Sequence, residues 1–320
     1  MLTLLKLLKD GKFHSGQDLG AALGISRSAV WKQLQQLQGE LNLAIHKVRG
    51  RGYQLSAPLE LLDPALIEAQ AAVSPSWPVT VLDTIDSTNA EALRLLAGGR
   101  QAPFLLLAER QTAGRGRRGR TWVSPFGENL YYSLLLRIEG GMRQVEGLSL
   151  VVGLAVVNTL RELGVVKAGL KWPNDILAEQ RKLAGILLEL VGDPADVCHV
   201  VIGIGINVNM QSTEEVDQQW TSMRLQSGAP VDRNHLAALL SAKLQVYLER
   251  HRREGFAAIQ PEWEHNHLWQ GRQVALIAGA KQIEGKVLGI DRQGALRLEV
   301  QGREQVFSGG ELSLRLRDDS

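Results

Sequence analysis

The chain has 320 residues, enough for two or three domains of ordinary size, and its 44% hydrophobic and 22% charged content excludes a disordered or fibrous protein. A single cysteine, Cys198, excludes an internal disulfide and points to a reducing, cytoplasmic setting, the thiol itself reading as a buried strand residue. Lys6 and Lys9 interrupt the N-terminal leucines, so no signal-peptide core is expected; the longest apolar run, Leu148 to Val157, is too short to cross a bilayer of about 30 Å, reads as a buried helix, and leaves no membrane partner expected.

The net charge of +2 is unevenly spread. Residues 1 to 55 carry eight Lys and Arg against three Asp and Glu, a net of +5, which leaves −3 for the remainder and marks the first segment as a nucleic-acid-binding module. Leucines at helical spacing over 2–9 end at Asp10-Gly11 and predict a first short helix. Ser15 and Asp18 have capping-box spacing ahead of Leu19, Ala22 and Leu23; Gly24-Ile25 reads as a turn, and Ser26 caps a further helix with Val30, Leu34 and Leu37 on one apolar face. That is helix-turn-helix grammar, and residues 43–54, alternating about Gly50-Arg51-Gly52, predict a basic hairpin, the wing. The start of the second helix of such a motif meets base edges, so Ser26, Arg27, Ser28 and Lys32 are candidate DNA contacts, with Arg49 and Arg51 of the wing on phosphates. A purely protein-binding winged helix is the alternative, which the basic balance disfavours.

Ser56-Ala57-Pro58 and the Pro-containing stretch to Pro78 read as a linker with room for one helix. From Val79, expected strands (79–83, 104–109, 129–137, 168–172, 183–191, 198–208) mix with expected helices (88–97, 145–163, 233–253) in an α+β pattern. Beyond Gly271, short alternating segments divided by Gly285, Gly289, Gly294, Gly302 and Gly309-Gly310 predict a small β-barrel.

Gln111 to Arg120 interleaves three glycines with four arginines: bare backbone amides and guanidinium forks are groups that hold anions. A solvated basic loop and nonspecific RNA binding are the alternatives. The glycines also match the dinucleotide pattern G-x-G-x-x-G, but Trp122 to Gly127 then leads into a strand where that fingerprint requires a helix, so a dehydrogenase is not expected. Lys171-Trp172-Pro173-Asn174-Asp175 and Arg181-Lys182-Leu183-Ala184-Gly185 each present a lysine at the edge of an apolar strand. One such lysine snorkels as a rule; two with Asn174 and Asp175 between them predict a polar cluster, with ammonium groups for developing negative charge and a carboxylate for polar or metal contact. Gly203 to Val208 ends a strand with small residues and one amide, Asn207, as a close ligand would require. His265 and His267 form H-x-H, but with Trp263 and Trp269 beside them they read as core packing, and no metal ligand set is expected.

GRGRRGR (114–120), SPFGENLYYS (124–133), KWPND (171–175), RKLAGIL (181–187) and GIGINVN (203–209), in this order, resemble the biotin-protein ligase family. With the helix-turn-helix and the GALRLE and GGELSLR segments, the resemblance spans nearly the whole chain and reaches the bifunctional ligase-repressor subfamily. It implies a winged helix-turn-helix (1–60), a mixed α/β catalytic domain of class II synthetase-like type (61–270) and an SH3-like β-barrel (271–320). It also implies a reaction in which the carboxylate of biotin attacks the α-phosphate of ATP, with Mg2+, to give biotinyl-5'-AMP, and a lysine of the biotin carboxyl carrier protein of acetyl-CoA carboxylase then takes the biotinyl group. The adenylate is implied as corepressor of a homodimer on the operator DNA of biotin-synthesis genes. Carried over, the biotin contacts fall on Ser87, Thr88, Asn89, Gln111, Arg115, Gly116, Arg117 and Lys182. Nucleotide contacts fall on Arg117, Arg118, Arg120, Asn174, Asn207 and Trp220, and catalytic charge on Lys182, Arg115, Lys171 and Asp175. For Trp220, within the less distinctive stretch 211–223, adenine stacking and an ordinary surface loop stand level. An inactive biotin sensor and a lipoate ligase are the rival functions. The intact lysines, Asp175 and arginine loop disfavour the first, and GRGRRGR disfavours the second.

Overall fold

The computed structural model describes residues 2–41, 43–56, 58–71, 77–139, 141, 144–192, 197–309 and 312–317. Ala57 and residues 72–76 of the expected linker, and Gly310, lie outside them. The chain divides into two compact units, Met1–Leu62 with Pro125–Gly127, and Asp63–Ser124 with Glu128–Ser320.

The first unit holds helices α1 (Leu2–Leu8), α2 (Gly16–Leu23) and α3 (Arg27–Leu41), then strands β1 (Ile45–Val48) and β2 (Gly52–Leu55). Leu4, Leu5 and Leu8 of α1 meet Leu19 of α2 and Val30, Leu34 and Leu37 of α3 in one core, with Tyr53, Leu55 and Phe126. Ser15 Oγ accepts the Asp18 amide at 3.0 Å and caps α2; Ser26 Oγ accepts the Ala29 amide at 3.2 Å and starts α3. The wing pairs β1 with β2, and His14 exchanges two 2.8 Å backbone bonds with Tyr53 to extend it. Gly52 is required there: φ is +103°, and a Cβ would lie 2.0 Å from the His14 carbonyl oxygen.

The second unit is built on a seven-stranded sheet of order β3-β4-β5-β9-β8-β7-β6. Its strands are β3 (Val79–Leu82), β4 (Phe104–Ala108), β5 (Leu130–Glu139), β6 (Ala168–Lys171), β7 (Asp175–Ala178), β8 (Arg181–Gly192) and β9 (Val197–Ile206). Only β3 and β4 run parallel among these pairs. Helix α5 (Thr88–Ala97) covers one face; α6 (Leu148–Glu162) and α8 (Arg233–Glu254) pack together on the other. Neighbours in β5 show the division, since Ser133 bonds Thr88 and Asn89 of α5 whereas Tyr132 Oη lies 3.0 Å from Ser241 Oγ of α8. The apolar run 148–157 lies in α6, nearly all of it buried. Helix α4 (Pro64–Ala71), inside the expected linker, packs on α8 and β3, and the short helix α7 (Met223–Ser227) precedes α8 in the chain.

A five-stranded antiparallel sheet follows, β13-β12-β11-β10-β14, from strands β10 (Gln273–Ala278), β11 (Lys281–Ile290), β12 (Leu296–Val300), β13 (Arg303–Phe307) and β14 (Leu312–Leu316). It is tied to the larger sheet's layer by Trp172 Nε1, which donates to Gly294 O at 3.0 Å, and by Glu264 Oε1, which accepts the Ile290 amide at 2.8 Å. No helix among the described residues is long and apolar enough to cross a membrane.

His267 closes helix α9 (Gln260–Asn266) and stacks on buried Trp263, ring centroids 4.8 Å apart. Neither ring nitrogen has a partner of good geometry, although Gln270 lies near, and burial pushes the pKa down to about 4. The unfolded ring takes up a proton near pH 6.5, so this contribution is complete above that pH and is lost as pH falls toward about 4. Urea unfolding should therefore show a loss of about 2 kcal/mol between pH 7 and pH 5 that His267→Phe largely removes; an equal loss in the variant would assign the acid sensitivity elsewhere.

Candidate active site

One cleft opens on the α5 face of the large sheet, and its floor is made of glycine. Cross-strand registers align Tyr131 with Gly205 and Gly205 with Gly185, then Ser133 with Gly203 and Gly203 with Leu187, so three glycine positions of β9 and β8 leave gaps in rows that begin at Tyr131 and Ser133 of β5. The bulk is supplied from above. A Cβ at Gly203 would lie 2.3 Å from the Asn89 amide, and one at Gly205 would lie 2.4 Å from the Trp122 ring.

One end of the cleft is a hydrogen-bonded set at the start of α5. Ser87 caps the helix, and Ser87, Thr88 and Asn89 are all buried. The Thr88 amide and hydroxyl both donate to Gln111 Oε1, at 2.9 and 3.1 Å, and Gln111 Nε2 donates to Ser124 Oγ at 3.0 Å. Ser133 Oγ lies 2.6 Å from Asn89 Oδ1 and 2.7 Å from Thr88 Oγ1.

The other end is cationic. Arg115, Arg117, Arg118, Arg120, Lys171 and Lys182 line the cleft against a single lining carboxylate, Asp175. Lys182 Nζ lies 2.7 Å from Asp175 Oδ1 and Lys171 Nζ 3.3 Å from Asp175 Oδ2, with side chains 18%, 18% and 14% exposed. Burial by itself would raise the Asp175 pKa, but Lys182 and Lys171 outweigh it and hold the carboxyl below its ordinary value. Burial lowers Lys171, only partly opposed by Asp175. Arg117 is likewise lowered by burial; it donates to Asn174 Oδ1 at 2.9 Å, while Asn174 Nδ2 donates to Ile186 O at 2.7 Å. Arg118 sits at φ +60° inside a single turn, Arg117–Gly119, that bends the loop over the cleft. Such an array can neutralise a polyanion and hold two anionic groups close together.

The residues singled out from the sequence thus meet, with two exceptions. Trp220 and Asn207 line an adjoining cleft shared with Lys182 and Trp122. Asn207 Nδ2 is committed to Thr221 O at 3.0 Å, and Lys182 pairs its backbone with Gln219 and Thr221, which stitches the 218–221 segment to β8. Sequence reasoning missed Trp122, which walls both clefts; Leu312, Ser313 and Leu314 of β14, which reach the main cleft; and Glu189 behind it. For Trp122 a signal existed, a lone aromatic just after the arginine loop; for β14 the GGELSLR segment carried the family resemblance but nothing that tied it to the site.

The nucleic-acid candidates lie in the other unit. Ser26, Arg27, Ser28, Lys32, Arg49 and Arg51 are all exposed. Ser26 and Ser28 hydroxyls lie 2.9 Å apart, and the Arg51 guanidinium sits 4.1 Å above the Phe13 ring.

Three family models match the chain: an HTH domain at residues 1–54, the Biotin/lipoate A/B protein ligase family at 81–207 and the Biotin protein ligase C terminal domain at 270–315. The class is therefore a biotin- or lipoate-type protein ligase joined to a helix-turn-helix. The chain is 45% identical to the Bifunctional ligase/repressor BirA of Escherichia coli over 98% of its own length and 97% of that protein's. It is 38% identical to the Biotin--[acetyl-CoA-carboxylase] ligase of Mycobacterium tuberculosis over 71% of this chain and 85% of the other. The solved Biotin protein ligase from Aquifex aeolicus, in complex with biotin and ATP, superposes with a TM-score of 0.66 at 31% identity, covering 75% of this chain and 99% of that one. The chain belongs to the biotin protein ligase family, among its bifunctional ligase/repressor members.

Replacing Asp175 by Asn leaves two half-buried ammonium groups facing each other. Removing one side of such a pair costs about 3 to 5 kcal/mol when it is fully buried, so with the exposure seen here a loss of about 2 to 4 kcal/mol is expected in urea unfolding at pH 7. The variant should recover part of this as pH rises through the lowered pKa of Lys171, because the repulsion ends when that amine loses its proton. A deficit independent of pH would show that charge is not its cause.

Proposed function

We propose that this chain is a biotin-protein ligase that is also a DNA-binding repressor of biotin synthesis. The observation that carries the ligase half is one cleft with a neutral, fully hydrogen-bonded end at Ser87, Thr88, Asn89 and Gln111 and a cationic end at Arg117, Lys171 and Lys182. Biotin has that polarity: an uncharged ring system and a carboxylate. The ring system lies at the α5 end and the carboxylate points at the arginines, beside the α-phosphate of ATP. Carboxylate oxygen attacks phosphorus, the bond to the β-phosphate oxygen breaks, and pyrophosphate leaves; two anions must approach first, and Arg117, Arg118, Arg120, Lys171 and Lys182 offset that repulsion. Adenine lies in the adjoining cleft between Trp122 and Trp220, near Asn207. In the second step a neutral carrier lysine attacks the acyl carbon of biotinyl-5'-AMP, and AMP departs with the bonding pair. No nucleophile from this chain is needed.

The donor set does not fit a resident magnesium ion: among the described residues no three His, Cys, Asp or Glu gather, and both Asp175 oxygens are engaged by lysines. Magnesium instead enters on the phosphates of the nucleotide. The protein partner is the biotin carboxyl carrier protein of acetyl-CoA carboxylase, in the cytoplasm. Three domains, 1–60, 61–270 and 271–320, divide the work; the mixed sheet is read as class II synthetase-like and the five antiparallel strands as an SH3-like barrel. The relatives' name, ligase/repressor, supports the double role.

Lys182→Ala should lower single-turnover adenylation by about 10² to 10³ while the protein stays folded. Labelled biotin, ATP and a carrier domain, followed for label transfer, measure this; an unchanged rate removes Lys182 from the site, and no ATP-dependent transfer by the wild-type chain overturns the ligase reading.

For the repressor, one helix-turn-helix makes too few contacts for tight specific binding, so the adenylate-bound chain acts as a homodimer on two dyad-related half-sites. Footprinting on the biotin-synthesis promoter should show protection that strengthens with biotin plus ATP. Arg49→Ala should weaken binding alike on all sequences and reduce the salt slope by about 1, as a phosphate contact does. No protection with both ligands present overturns the repressor half alone.

A further inference from the structure

Glu189 stands outside the cleft lining yet joins its two walls. It lies on β8 two residues beyond Leu187, on the strand face that carries Gly185 and Leu187, behind the arginine loop. A single carboxylate oxygen, Oε2, accepts from Asn89 Nδ2 at 2.8 Å and from Arg115 Nη2 at 2.8 Å. Asn89 cannot settle elsewhere: Ser133 Oγ engages its Oδ1, Leu187 O accepts from Nδ2 at 3.3 Å, and the bare Cα of Gly203 lies under its amide. Arg115 differs. Its side chain is 44% exposed, it sits in a loop rich in like charge, and it forms an ion pair with Glu189, whose side chain is 23% exposed.

From this geometry we propose that Glu189 is a positioning residue that latches the arginine loop to the α5 end of the cleft, fixing Asn89 and Arg115 together as one biotin-binding wall. The inference rests on the ligase reading above. Because Glu189 meets the charge of Arg115, the wall sets how well the acid is held in ground state and transition state alike, and charge at phosphorus falls to Arg117, Arg118, Arg120, Lys171 and Lys182. Loss of Glu189 therefore raises the KM for biotin and leaves kcat at saturating biotin close to its original value.

The test is steady-state adenylation in the full-length chain with Glu189→Gln and Glu189→Ala. Gln keeps an acceptor for the Asn89 amide and loses the charge facing Arg115; Ala loses both. Losing a charge-assisted hydrogen bond of this kind is expected to raise the KM for biotin about ten-fold in the Gln variant and further in the Ala variant, with the KM for ATP and kcat little changed. Trypsin should also cut after Arg115 to Arg120 faster in both ligand-free variants. A lower melting temperature with an unaltered KM for biotin would mark Glu189 as structural only and overturn the proposal, as would equal increases in both KM values. If the Ala variant does not fold, the Gln variant, nearly identical in shape, decides. A wild-type chain that fails to activate biotin overturns the ligase reading itself, whereas an active wild type with unchanged variants overturns only the role of Glu189.

Discussion

Two lysines share one carboxylate at the centre of this molecule, and most of the site follows from that sharing. Lys171 and Lys182 come from the edge strand β6 and from β8, and between them β7 brings Asp175 to within 2.7 and 3.3 Å. Like charges this close in a half-buried cleft repel, and one carboxylate neutralises only one of the two. The second ammonium and the arginines above it outnumber the one carboxylate of the cleft lining, which is the condition under which a phosphate binds strongly. The electrostatics thus give the cleft lining a surplus of positive charge that the proposed nucleotide discharges.

Such a cluster needs a floor that takes up no room, and the sheet supplies it. Gly185 and Gly205 align across β8 and β9 with Gly203 two residues away on β9, and Asn89 and Trp122 occupy the space their side chains would have filled. On the reverse face, Ile186, Ile204 and Tyr132 are buried toward α6 and α8 and hold the floor rigid. A site whose precision comes from missing side chains depends on the stiffness of what lies behind it.

The elements that could be read from sequence were those with a local cause. The capping residues Ser15 and Ser26, the Leu and Val spacing of α3, and the apolar run of α6 each state their structure within a few residues. The lysine and arginine motifs were legible for the same reason, since their chemistry is unusual in short compass. The strand β7 was missed, four residues long and pressed between a turn and a hairpin. Helix α4 lies in what reads as linker because its burial depends on α8, which is distant in sequence. Glu189 was invisible for a like reason: in Leu187-Leu188-Glu189-Leu190-Val191 it is one charge in an apolar strand, and its partners lie 74 and 100 residues away.

The reach of β14 into the cleft has a consequence for biosynthesis. Leu312, Ser313 and Leu314 line a site whose other walls begin at Ser87, so the ribosome must translate more than two hundred intervening codons before the pocket can be completed. The helix-turn-helix, whose core is drawn almost wholly from residues before 62, can condense early on the nascent chain. During elongation, then, a chain could carry a finished winged helix for many seconds while its binding pocket still lacked one side.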